Sequence, residues 1–139
     1  GNDCRCPYRP GEAQGDAAQG LLTTLHYAYG LDTPKYKAFR LGYAKVYKLQ
    51  LFFYAVQGYD AAQVLAVGLK AVGGDISKRD QLTAAMRKVT VDSPRGKFTI
   101  SPAGNPVQDI YLREVKGNNN ELRSVAVKGL SDPARGCKL

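Results

Sequence analysis

The chain has 139 residues, with 20 lysines and arginines against 12 aspartates and glutamates, a formal net charge of +8. Hydrophobic residues at 44 % and charged residues at 23 % exclude whole-chain disorder and collagen-like structure. No apolar run approaches the roughly 18 residues of a bilayer span, and residues 1–20 are too polar for a signal segment. A mature secreted chain, a cytosolic chain and an excerpt of a longer chain all stay open at this point.

Residues 1–20 read as irregular, with a short helical turn expected over residues 12–18. Residues 21–28 read as a strand, broken by Gly30. Asp32, Thr33 and Pro34 form a helix start, because a capping hydroxyl or carboxylate precedes a proline whose missing N–H costs nothing in the first turn. Phe39, Tyr43, Val46 and Tyr47 then fall at i, i+4, i+7 and i+8, an apolar stripe on a helix over residues 34–47. A short apolar stretch at 51–56 precedes a second helix expected over 58–72, with Val64, Leu65, Leu69 and Val72 inward and Gly73-Gly74 as its stop. Ser77-x-x-Asp80 resembles a capping box and opens a third helix carrying Leu82, Ala85, Met86 and Val89.

Past Asp92 the period changes to two. Pro94-Arg95-Gly96 is a turn, residues 97–100 a short strand and residues 102–106 a loop. Residues 107–115 alternate cleanly, and residues 122–127 are their expected hairpin partner across the turn-rich 116–120. The order is β-α-α-α-β-β-β, an α/β chain short of strands for its helices, since three helices cannot cover so small a sheet on both faces.

Chemistry is sparse. Around the single histidine, His26, no Ser/His/Asp or Cys/His set can be assembled from the sequence. No glycine loop opens a helix after a strand, so no phosphate cradle is indicated. Cys4, Cys6 and Cys137 with one histidine give no tetrahedral zinc set; a disulfide from Cys137 to Cys4 or Cys6 and three free thiols are both open. No cofactor or metal is expected. The basic residues, among them Lys35, Lys37, Arg40, Lys45 and Lys48, are dispersed along helix faces without a run of five. That favours a solvated surface, with a nucleic-acid-binding or protein-interaction module as the alternative.

Several motifs together point further. Leu31-Asp32-Thr33-Pro34-Lys35-Tyr36-Lys37-Ala38-Phe39, Gln57-Gly58-Tyr59-Asp60-Ala61, Asp92-Ser93-Pro94-Arg95-Gly96-Lys97-Phe98 and Pro106-Val107-Gln108-Asp109-Ile110-Tyr111-Leu112-Arg113-Glu114-Val115 occur in this order. They resemble the C-terminal portion of the type I periplasmic solute-binding proteins of branched-chain amino acid (or aromatic acid) ABC transporters. The ending Gly136-Cys137-Lys138-Leu139 is similar to one seen in part of that family.

The resemblance implies a two-lobed parent whose sheets are incomplete here. Residues 21–31 and 106–128 would be second-lobe strands, 32–105 a first-lobe helical segment and 129–139 a tail. Hinges would lie at Tyr29, Gly30 and Leu31, and at Pro102 and Asn105. The implied function is periplasmic capture of a small amino-acid-like or aromatic carboxylate ligand for an ABC permease, without catalysis. The rest of the chain, a second copy or exchanged strands would complete the fold.

Tyr54, just before the QGYDA segment, matches a position facing the ligand cleft in relatives, and an aromatic there suits an apolar or aromatic ligand. Gln57 at the expected helix start offers a side-chain amide or a backbone N–H to an anion. His26 and Tyr27 flank the strand-to-hinge turn. Each also has an ordinary reading: core or interface tyrosine, helix cap, satisfied imidazole. Tyr59 and Asp60 are expected to pack and cap the helix, and Arg95 to fix its turn through backbone contacts.

Overall fold

A computed structural model describes residues 15–135. After a single 3-10 turn at Gly15–Ala18 come β1 (Leu22–Leu25), α1 (Pro34–Tyr47), α2 (Phe53–Ala71), α3 (Arg79–Arg87), β2 (Thr90–Val91), β3 (Phe98–Ile100), β4 (Pro106–Lys116) and β5 (Asn119–Leu130). The expected α/β order holds, with one two-residue strand added. The cysteine pairing concerns Cys4, Cys6 and Cys137, which lie outside the described residues, as does residues 12–14 of the expected N-terminal turn.

Local chemistry fixes α1 at both ends. The Thr33 hydroxyl accepts from the Tyr36 N–H, and Pro34 occupies the first turn. Lys48, at φ 55°, closes the other end in the left-handed region with its N–H on the Ala44 carbonyl. α2 begins at Phe53, five residues before the expected Gly58. The aromatic and β-branched residues there look strand-like, but helix packing decides over propensity in so short a run. Its stop is as read: Gly74, at φ +83°, donates to the Leu69 carbonyl at 2.9 Å.

α3 departs from expectation at its start. Ser77 does not cap it; its N–H and hydroxyl both turn back to the Asp75 carboxylate, at 3.1 and 2.6 Å. That local turn competes with the capping box and wins. Gly68 of α2 is buried where α3 crosses, and a Cβ there would stand 2.7 Å from Met86 Cγ.

The sheet is antiparallel, in the order β1-β4-β3-β2, with β5 also on β4. β4 is the shared member. Its first residues, Pro106 and Val107, pair with Ile100 and Thr99 of β3. From Gln108 onward it pairs with β5, and from Tyr111 onward also with β1. Three register shifts against β5, between Gln108 and Arg113, interrupt the ladder, so the clean alternation read from the sequence is broken where the partners change. Tyr29 adds an isolated parallel bridge to Glu121.

Two apolar clusters result. Tyr27, Ala28, Leu31, Tyr36, Leu51, Val56 and Tyr111 form the larger, and Val89, Val91 and Phe98 the smaller. The α1 stripe is only half used. Phe39 and Tyr43 pack on the larger cluster, whereas Val46 and Tyr47 stay 69 % and 60 % exposed. Leu65 of the expected α2 stripe is exposed as well. No described helix is long and apolar enough to cross a membrane.

Candidate functional site

The early start of α2 changes what its residues offer. Gln57 is its fifth residue, so its backbone N–H belongs to the helix ladder and only the side chain is available to a partner. That side chain meets the only histidine: Gln57 Nε2 lies 3.1 Å from His26 Nε2. The two line a concavity of about 270 Å³ together with Asp60, Arg95, Phe98 and Gln108. The bend that follows β1 brings His26, and the second turn of α2 brings Gln57.

Behind them lies an ion pair that spacing could not reveal. Arg95 Nε donates to Asp60 Oδ2 at 2.7 Å, with both side chains 6 % exposed. Arg95 Nη1 donates to Gln108 Oε1 of β4, and its Cζ sits 4.2 Å from the centre of the Phe98 ring. Its carbonyl accepts from the Tyr111 hydroxyl at 2.5 Å. Arg95 therefore holds more than its own turn: its side chain ties α2 to β4. Asp60, in mid-helix, is an ion-pair partner and not a cap.

These charges act on His26. Burial first, then the positive charges of Arg95 and Arg113, lower its pKa from 6.5 to about 4. The imidazole is thus neutral at pH 7, and its contact with Gln57 is a hydrogen bond between uncharged groups.

Tyr54 does not join them. In the first turn of α2 it is 47 % exposed and faces a broad aromatic groove with Phe39, Tyr43, Phe52 and Tyr59. Tyr27 is buried in the larger core cluster, its hydroxyl 3.3 Å from that of Tyr36. Burial and then that hydrogen bond push its pKa upward. Tyr27 also borders a third crevice, with Tyr29 and Arg113. The four expected ligand residues are thus spread over three neighbouring concavities, of which one holds two of them.

The expected hinge residues are well tied. The Tyr29 N–H donates to the Asn120 carbonyl at 2.9 Å, and the Tyr29 carbonyl accepts from the Leu122 N–H at 2.9 Å. Gly30, at φ +86°, donates to the Tyr36 hydroxyl, and Leu31 is buried. Across residues 101–105, the Ser101 N–H donates to the Asn105 carbonyl at 2.8 Å, while the Pro102 carbonyl accepts from Arg87 Nη1 at 2.9 Å. Among the described residues no group of three histidines, cysteines or acids could hold a metal ion. Lys35, Lys37, Lys78, Lys116 and Arg123 engage carboxylates.

The described residues thus offer a broad aromatic groove and, apart from it, a concavity in which a neutral imidazole meets Gln57 beside the Asp60–Arg95 ion pair. Residues 10–120 match the periplasmic binding protein family, and the chain belongs to it. It is 37 % identical over 108 residues to Leu/Ile/Val-binding protein homolog 6 of Brucella abortus and of Brucella suis, covering 74 % of this chain and 27 % of those proteins.

Among solved structures it resembles an ABC-transporter solute-binding protein of R. palustris in complex with benzoate, at 45 % identity and TM-score 0.86. That match covers 94 % of this chain and 36 % of the other. A second R. palustris solute-binding protein, in complex with 4-hydroxybenzoate, matches at 29 % identity and TM-score 0.79, covering 92 % and 36 %. A leucine-binding protein of Thermotoga maritima matches at 26 % identity and TM-score 0.71, covering 83 % and 33 %. The chain thus spans about a quarter to a third of the length of these relatives. They are solute-binding proteins, not enzymes, and the fold is that of the type I periplasmic binding proteins.

Proposed function

We propose that this chain is the C-terminal part of an extracytoplasmic solute-binding protein that captures a small carboxylate, aromatic in preference to branched aliphatic, for uptake through an ABC permease. The observation that carries this reading is the likeness to the benzoate-bound protein of R. palustris, the highest in identity of the three solved structures described. The aromatic run Phe52, Phe53 and Tyr54 supports the ring preference, because offset ring contacts reward an aromatic solute. We assign Tyr54, Gln57, His26 and Tyr27 as the ligand groups and the periplasm as the location.

In this reading residues 21–31 and 106–128 belong to the second lobe and 32–105 to the first. The change of β4 partners after Val107 and the well-tied segments at Tyr29 to Leu31 and Pro102 to Asn105 are consistent with crossings there. The test is a chimera in which this chain replaces the matched segment of the R. palustris benzoate-binding protein. Titration calorimetry should give benzoate binding, weakened at least tenfold by Tyr54→Ala and little changed by Leu41→Ser on the exposed side of α1. A folded chimera that binds neither benzoate, 4-hydroxybenzoate nor leucine refutes the reading.

A further inference from the structure

A crevice of about 140 Å³ opens between the loop that precedes α2 and the turn joining β4 to β5. Tyr27, Tyr29, Gln50, Phe53, Arg113 and Asn119 are among its walls. Gln50 Nε2 donates to Asn119 Oδ1 at 2.7 Å, which ties the loop to the turn. The charge inside is unusual. Arg113 Nη1 donates to the Tyr27 carbonyl at 3.3 Å, while Nε is buried with no acceptor. None of the ion pairs among the described residues includes Arg113.

Arg95 makes the contrast plain: equally charged, it has Asp60 against it. A guanidinium stays charged at any working pH. Arg113 is only partly buried, so its charge keeps some water, but its Nε–H is out of water without an acceptor, and an unbonded buried N–H is costly. Burial lowers the pKa of Arg113, the same penalty seen as a titration. The unsatisfied Nε edge is the one along which a guanidinium receives a carboxylate in two parallel bonds.

We propose that Arg113 is a carboxylate-binding residue, and that this crevice takes the carboxylate of a small ring-bearing acid, the ring lying against Phe53 and Tyr29. The assignment rests on the solute-binding reading for its choice of acid and places that acid's carboxylate in a crevice apart from the groove of Tyr54 and the concavity of Gln57 and His26. The same chemistry has a second source, an Asp or Glu side chain from the remainder of a longer protein.

The test follows the Arg Nε–H resonances of the 139-residue chain while benzoate or benzamide, its uncharged isostere, is added. Benzoate should shift the Arg113 Nε–H saturably, and benzamide should not. Arg113→Met should weaken benzoate at least tenfold, and Arg113→Lys several-fold, because it keeps the charge but not the fork. Should Arg113→Met fail to fold by circular dichroism, the comparison of the two probes on the unsubstituted chain decides.

Equal response to both probes, unchanged affinity in folded Arg113→Met, or no saturable shift overturns the proposal. Benzoate shifts confined to Tyr54 and Gln57 overturn it too, yet leave the cleft reading standing. An Arg113 Nε–H that is already displaced in the chimera and ignores benzoate overturns the ligand role in favour of an internal ion pair.

Discussion

The Asp60–Arg95 pair offers the sharpest test of how the cleft wall is held. Arg95→Met leaves a carboxylate that is 6 % exposed without its cation, and Asp60 Oδ1 already has no partner. Asp60→Leu leaves the guanidinium stranded instead. Removing one member of a buried pair costs about 3–5 kcal/mol, a large share of the roughly 5–15 kcal/mol that holds a domain together. Independent effects would sum to about 6–10 kcal/mol on the same scale.

The double variant Asp60→Leu/Arg95→Met should behave otherwise, because it removes both charges and their desolvation together. What remains is the orphaned Gln108 carbonyl oxygen, worth about 1–3 kcal/mol. The double variant should therefore be more stable than either single one. In urea unfolding followed by circular dichroism, at about 1–3 kcal/mol per molar, the single variants should lose about 2 M of midpoint and the double about 1 M. A double variant at or below the less stable single would refute the claim that the two charges serve each other.

Two further outcomes follow from packing and capping. Gly68→Ala should lower stability by about 1 kcal/mol, although alanine favours helix by about as much, because overpacking costs about 1–3 kcal/mol and the new Cβ meets Met86; in a Met86→Ala background the same change should stabilise, as thermal unfolding would report. Thr33→Ala should cost about 1 kcal/mol through loss of the N-cap, and Thr33→Ser almost nothing, since serine keeps the hydroxyl that accepts from the Tyr36 N–H.

What the sequence made legible was local. Thr33, Pro34 and the Gly73-Gly74 stop act within a turn of where they stand, and each element end they predicted is found. Ser77 misled because Asp75, two residues back, offered its hydroxyl a nearer partner. β2 is two residues long and exists through its pairing with β3, which no period of two could reveal. The site was less legible for the same reason. Tyr54, Gln57, His26 and Tyr27 came from resemblance, and their distribution over three concavities depends on where α2 starts. Arg95 with Asp60, 35 residues apart, and Arg113 in its crevice become visible only when strands and helices are placed together.

His26 joins these observations into one measurable quantity. Its folded pKa, about 4, lies below the 6.5 of the free group. The unfolded chain therefore binds a proton at pH values where the folded chain refuses it. The stability His26 contributes is complete above pH 6.5 and is lost as the pH falls from there towards 4. Its ring protons, followed by NMR, should titrate near 4, and His26→Gln should flatten the stability profile over that window. A midpoint near 6.5 would show that burial and the two arginines do not act on the ring as described. The two arginines are not equivalent, however. Arg95 carries its own counter-ion, whereas the charge of Arg113 stands open. A carboxylate that settles against Arg113 cancels that part of the field on His26, while burial and Arg95 remain. The midpoint should then rise only part of the way back, and it should do so with benzoate and not with benzamide. A neutral imidazole paired to Gln57 and an uncompensated guanidinium nearby thus report on each other, which makes the titration of one side chain a gauge of whether the neighbouring crevice is filled.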